Sequence, residues 1–214
     1  MADKLHHERL YRGDEALGKL RGFRIVVCGA GALGSNLVEG LSRQGFDTLR
    51  IIDNDRVEEH NLSTQAYGES DIGALKVEAL KTRVFRAVGV EIETDSKRLD
   101  DRNAARLLRK ADLVVDAFDN SASRQAVQDV CRANSLTCLH AGLFEDYGEV
   151  IWDAHYRVPK DAGEDLCDYP LARNLAVMVA TLTCETIVRF RIANAADSRS
   201  ITLRDLSIQA LETE

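Results

Sequence analysis

Between Arg24 and Gly45 a short apolar run, Arg24-Ile-Val-Val-Cys28, passes through Gly29-Ala-Gly-Ala-Leu-Gly34 into an amphipathic stretch. This junction constrains the fold more than any other segment, because a strand must end, turn on glycines and begin a helix within a few residues. The glycines permit the tight turn and let backbone N–H groups approach a phosphate at the helix N-terminus. Asp53 closes the next apolar run, 19 residues after Gly34, where a carboxylate can take ribose hydroxyls. On these residues alone the site is one for a mononucleotide or dinucleotide, with an NAD-dependent oxidoreductase as the default. The bland alternative is a glycine turn with no ligand.

The remaining pattern supports an α/β fold: a Rossmann-like, mostly parallel sheet with helices on both faces and an antiparallel C-terminal extension. Apolar runs at 48–52, 113–118 and 137–141 read as strands, and Val90–Thr94 alternates like a strand with one wet face. Helical spacing occupies 72–88, 101–110 and 121–134. Strands alternating with helices at this spacing predict a parallel sheet covered on both faces. The last third differs: an extended segment at 148–158, a polar loop at 159–168, an apolar helix from Leu171 to about Ala193, and edge strands over 201–211. With only 2 prolines and no low-complexity run, the expectation is one domain over 1–214. It divides into a helical segment (1–22), a nucleotide-binding core (23–142) and a C-terminal part (143–214).

Composition narrows the function classes. A net charge of −7 argues against a nucleic-acid footprint, which needs a basic face. No apolar stretch is long enough to span a membrane, and Met1-Ala2-Asp3-Lys4 is not a signal peptide, so a cytoplasmic protein is expected. Five scattered cysteines without a Cys-x-x-Cys read as reduced thiols, and no zinc site is expected.

Further motifs fit a dehydrogenase poorly. Asp53-Asn54-Asp55 is followed by Asn61-Leu-Ser-Thr-Gln65, then Gly73-Ala-Leu-Lys76, and later Asp116-Ala-Phe-Asp119-Asn120. In this order the motifs resemble the ubiquitin-activating-enzyme-like superfamily, the ThiF/MoeB/HesA group of adenylyltransferases, from about Leu17 to Phe190. The resemblance implies that ATP and Mg²⁺ are used to adenylate the C-terminal carboxylate of a ubiquitin-like or sulfur-carrier protein. It implies that Gly29, Ala30, Gly31 and Gly34 line the phosphates and that Asp53 holds the ribose, with Asn54 and the second acid Asp55 beside it. Asn61 and Gln65 fall beside the triphosphate, Lys76 matches the phosphate-binding lysine, and Asp119, with Asn120 next to it, matches the aspartate that organises Mg²⁺ and the α-phosphate. Each has a bland rival: Asp53 as a strand end, Lys76 as a solvated helix lysine, Asp119-Asn120 as a helix N-cap.

Three departures matter. Thr64 replaces the arginine of the group's Asn-Leu-x-Arg-Gln run, and threonine brings neither its charge nor its bidentate geometry. The arginine that reaches into a partner subunit's site in a homodimer has two candidates, Arg9 and Arg12. Cys167, in Asp165-Leu-Cys-Asp-Tyr-Pro170, falls where some relatives carry an acceptor thiol. It reads either as a nucleophile or as an inert loop thiol, since Asp165 and Asp168 disfavour a thiolate. Cys28, Cys131, Cys138 and Cys184 read as packing; His140 and Glu149 fall where a carrier-tail channel would run, but read more readily as ordinary core or surface residues. Other functions stay open: adenylation of a carboxylate on a small molecule or a modified tRNA base, and a non-catalytic nucleotide-binding subunit.

Overall fold

The computed structural model describes residues 3–159 and 170–211. In chain order the elements are α1 (His6–Arg12), α2 (Asp14–Leu20), β1 (Ile25–Cys28), α3 (Ala32–Gln44), β2 (Leu49–Ile52), α4 (Lys76–Val88), β3 (Glu93–Asp95), α5 (Ala104–Leu107), β4 (Leu113–Asp116), α6 (Ser121–Ala133), β5 (Cys138–Phe144), β6 (Tyr147–Trp152), α7 (Arg173–Ala193), β7 (Arg199–Thr202) and β8 (Ile208–Ala210). One sheet of eight strands has the order β3-β2-β1-β4-β5-β6-β7-β8. The pairs from β3 to β5 are parallel, and those from β5 to β8 are antiparallel.

All four residues of β1 and of β4 are buried, as a strand with helices on both faces requires. Their alternate side chains enter two different cores. Ile25, Val27, Leu113 and Val115 pack with α3, α4 and α7, whereas Val26, Cys28 and Val114 pack with α5 and α6. Helices α3 and α7 cross closely; a Cβ at Gly40 would stand 2.8 Å from Cys184 Sγ.

Several expected boundaries move for local reasons. The helix read over 72–88 begins at Lys76, because Gly73 has φ +84° and Leu75 is extended. The strand read over 90–94 is Glu93–Asp95; Val90 and Ile92 are anchored in the core before the pairing starts. The helix read over 101–110 shortens to a single turn, Ala104–Leu107. Strand β5 runs past Ala141 to Phe144 and turns directly into β6 through Glu145. β6 then stops at Trp152, short of Val158, where Asp153 leaves the sheet to join buried polar groups.

Beneath α7, a Cβ at Gly148 of β6 would lie 2.2 Å from Val179 Cγ2. Gly148→Ala is therefore expected to cost about 1–3 kcal/mol of unfolding free energy through overpacking, with an unchanged denaturant slope in urea titration.

Candidate nucleotide site

Strand order reverses at β1, whose two neighbours are β2 and β4. The crevice between the carboxyl ends of β1 and β4 is thus the switch point at which open α/β sheets bind ligands. The glycine turn lies there. Gly29 has φ +97°, and a Cβ on it would meet the Ala117 carbonyl oxygen at 2.8 Å, so the turn passes hard against the end of β4. A Cβ at Gly34 would stand 1.8 Å from the Gly29 carbonyl oxygen; only glycine lets α3 start so close to the strand it follows. A Cβ at Gly31 would meet nothing within 4 Å, which marks the open side of the turn. The N–H groups of the first turn of α3 have no intrahelical partners and point out of the helix start.

Asp53 is buried at the end of β2, and its two oxygens join two loops. Oδ2 accepts the Ala30 N–H at 2.7 Å and Oδ1 accepts the Asp55 N–H at 2.8 Å. Burial raises its pKa, opposed by those two bonds and by the charge of Lys76. Ala30 is fully buried with its N–H engaged by Asp53 and its carbonyl by Tyr67 Oη at 2.8 Å. Its backbone therefore shapes the turn from inside.

Lys76 reaches the site because residues 55–57 and 73–76 run antiparallel. Lys76 N–H donates to the Asp55 carbonyl at 2.9 Å, and Arg56 bridges Leu75. The buried side chain emerges at the start of α4, with Nζ 3.2 Å from Asp55 Oδ2. Asn54 leans on Asp55 Oδ1 at 3.0 Å. Asn61 is buried and its side chain accepts the Glu58 N–H at 3.0 Å, fixing the 3₁₀ turn Glu59–Ser63. Gln65 carries a buried Oε1 with no hydrogen-bond partner among the described residues. Thr64 is buried, and its carbonyl accepts from Asn36 Nδ2 at 3.2 Å.

At the end of β4, Asp119 is exposed and takes a 3.5 Å contact from Asn120 Nδ2. Asn120 is the N-cap of α6, accepting the Ser123 N–H at 2.9 Å. Capping fits Asn120; it leaves the Asp119 carboxylate facing solvent.

Behind this loop lies a polar cluster that sequence reading missed. Asp116, fully buried, accepts the Phe118 N–H at 3.1 Å through Oδ1, while His140 Nδ1 lies 2.9 Å from its Oδ2. His140 Nε2 lies 3.1 Å from Asp153 Oδ1, and the ring stacks on Tyr156 at 3.7 Å between centroids. Arg124 Nη1 lies 3.4 Å from Asp116 Oδ2 and donates to Tyr156 Oη at 2.8 Å; its Nη2 donates to the Ala141 carbonyl at 3.0 Å. Its sequence signal was an acid inside an apolar strand with Arg124 eight residues on. His140 is enclosed here, and Glu149 stands half-buried nearby with its pKa raised by burial against the charge of Arg124.

The family model described as ThiF matches residues 6–198. The chain belongs to the ThiF family. Among ThiF-family relatives it is 34% identical over 140 residues to the SAMP-activating enzyme E1 of Haloferax volcanii, covering 64% of this chain and 52% of that protein. It is 31% identical over 153 residues to the sulfur carrier protein adenylyltransferase of Thermus thermophilus, covering 69% and 56%. The chain thus spans about half the length of these two relatives. In solved structures its fold resembles E. coli MccB with ATP (TM-score 0.81, 17% identity, 98% of this chain and 71% of that one). It also resembles E. coli tRNA N6-threonylcarbamoyladenosine dehydratase (TM-score 0.77, 19% identity, 90% and 95%). At such identities these two likenesses concern the fold.

Outside the crevice, Arg9 pairs with Asp3 and Asp14, and Arg12 with Glu8 and Glu185. Hydrogen bonding to Glu185 leads the causes that raise the Arg12 pKa. Cys28, Cys131, Cys138 and Cys184 are buried, as packing residues should be; burial pushes the Cys184 thiol up to about 12. Cys167 lies outside the described residues. No helix among the described residues is long and apolar enough to cross a membrane.

Asp153 supplies a pH test of the cluster. Burial raises its pKa, but bonds from Arg132, Gln128 and His140 outweigh that and hold it below the ordinary 3.8. A depressed carboxylate stabilises the fold fully above the ordinary value and loses that contribution as pH falls through its own lower one. Asp153→Asn should therefore be less stable than wild type at neutral pH, and the gap in urea midpoints should close below pH 3.8.

Proposed function

We propose that this chain uses ATP to adenylate the C-terminal carboxylate of a ubiquitin-like or sulfur-carrier protein. The observation that carries this reading is the convergence of the glycine turn, Asp53 and Lys76 on the switch-point crevice, in a chain of the ThiF family. The names of the Haloferax and Thermus relatives support the class of carrier.

In the proposed reaction an oxygen of the carrier's carboxylate attacks the α-phosphorus of ATP. The bond from that phosphorus to the bridging oxygen breaks, and pyrophosphate leaves with the electron pair. The products are an acyl-adenylate and pyrophosphate. The nucleophile is already ionised, so the obstacle is the approach of two anions, which positioned positive charge relieves. Lys76 supplies one such charge. Its Nζ has three donors and gives one to Asp55, leaving the others for phosphate oxygens. The first-turn N–H groups of α3 hold further phosphate oxygens, and Asp53, already oriented by two backbone bonds, takes the ribose. By the family pattern Asn61 and Gln65 flank the triphosphate.

Asp119 suits a Mg²⁺ ion shared with phosphate, since Mg²⁺ takes one or two carboxylates plus phosphate oxygens and water. Among the described residues no cluster of three His, Cys, Asp or Glu side chains forms a cage of its own. Bound there, Mg²⁺ neutralises phosphate charge. Cys167 is our candidate for accepting the activated acyl group, with AMP as the leaving group, and in a homodimer Arg9 or Arg12 would reach the partner subunit's site only by giving up the partners it holds within its own chain.

The deciding assay is exchange of labelled pyrophosphate into ATP. Exchange should require a carrier protein with an intact C-terminal tail. Exchange that instead follows added tRNA would move the substrate to a modified base, and none with any carboxylate substrate would leave a non-catalytic subunit. Lys76→Ala should lower the rate by about 100-fold or more while the circular dichroism spectrum stays unchanged.

A further inference from the structure

We propose that Tyr67 is a positioning residue that aims the Gly31 N–H at the nucleotide phosphates by holding the Ala30 carbonyl. The inference rests on the reading of the glycine turn as an ATP site. Tyr67 follows the Asn61–Gln65 run, no motif singled it out, and its side chain is buried against the turn.

Tyr67 Oη donates to the Ala30 carbonyl oxygen at 2.8 Å. A trans peptide is planar, with its C=O and the next N–H pointing in opposite directions, and the described chain contains no cis peptide. Fixing the Ala30 oxygen on Tyr67 therefore turns the Gly31 N–H the opposite way, away from the buried phenol; a Cβ at Gly31 would meet nothing within 4 Å, so the turn is open at this residue. The neighbouring groups are fixed as well. Ala30 N–H is held by Asp53 at 2.7 Å, and the Gly31 carbonyl accepts from the Ser35 N–H at 3.0 Å and from Ser35 Oγ at 2.7 Å. The peptide between Ala30 and Gly31 is thus clamped from both sides and cannot flip without breaking a buried bond.

Residues 64–67 form a strap along the start of α3. Asn36 Nδ2 donates to the Thr64 carbonyl at 3.2 Å, the Ala66 N–H donates to Ser35 Oγ at 3.0 Å, and Tyr67 completes the line. The strap begins at Thr64, the position that lacks the arginine expected from the family pattern. In place of that mobile charge the chain presents a prearranged backbone donor, which needs no reorganisation when phosphate binds. Burial, with the nearby Asp53, Asp71 and Asp55, pushes the Tyr67 phenol well above its ordinary range, so it remains a donor at all physiological pH.

Tyr67→Phe keeps the ring and removes the donor. ATP affinity, measured by calorimetry on the full chain, should weaken about 3- to 10-fold, while the exchange rate at saturating ATP stays within about twofold. Gly148→Ala, expected to destabilise the fold from β6 without touching the turn's hydrogen bonds, serves as the control. A Tyr67→Phe affinity loss no larger than the control's would make Tyr67 merely structural and overturn the proposal. In wild type, the Gly31 amide resonance should shift strongly on ATP addition; an unmoved Gly31 amide overturns the proposal even if the variant fails to fold. A wild type that binds ATP but shows no exchange refutes the adenylation reading alone, and one that binds no ATP refutes both.

Discussion

The two hydrogen bonds of the Asp53 carboxylate are the joint on which the crevice depends. One reaches the glycine turn at Ala30 and the other the loop at Asp55. Through Asp55 the same joint orients Lys76, since both the backbone and the side chain of Lys76 meet that residue. A buried carboxylate is costly unless its lone pairs are filled. The burial that raises the pKa of Asp53 is also what makes its two backbone bonds strong. The β1–α3 turn, the end of β2 and the start of α4 are thereby held as one unit.

A second buried carboxylate does comparable work on the other side of the switch point. Asp116 fixes the backbone at Phe118, just before Asp119, and is braced by His140 and Arg124. His140 is braced in turn by Asp153 at the end of β6. The antiparallel strands are thus coupled to the loop that follows β4 by hydrogen bonds as well as by the sheet. Such a cluster is favourable only when its members are satisfied together, and here the backbone of Ala141 and the hydroxyl of Tyr156 take two further donors of Arg124.

Much of the candidate site's geometry was legible because its parts are local. The glycine turn follows from the spacing of Gly29, Gly31 and Gly34 between a strand and a helix, and Asp53 from its place at the end of the next strand. Lys76 was legible only by resemblance: 21 residues separate it from Asp55, and no periodicity announces that the loop folds back on itself. Ala30 shows the limit of motif reading. Its place within the turn suggested phosphate contact, but its N–H and carbonyl both face inward to Asp53 and Tyr67. The bond from Tyr67 and the pairing of His140 with Asp116 and Asp153 were not legible for the same reason. Their partners lie on separate elements, and hydrogen bonds between side chains leave no spacing signal in a chain.

By itself the sequence determined the alternation of strands and helices, the turn at Gly29–Gly34 and the carboxylates that end β2 and β4. These follow from side-chain periodicity and from the conformational freedom of glycine, which act over a few residues. Only the tertiary structure decided which strands became neighbours, where α4 began, which carboxylate oxygens met which N–H groups, and that His140 would be enclosed between two acids. Those outcomes depend on contacts between residues distant in the chain, where burial forces each polar group to find a partner among whatever the packing brings within reach.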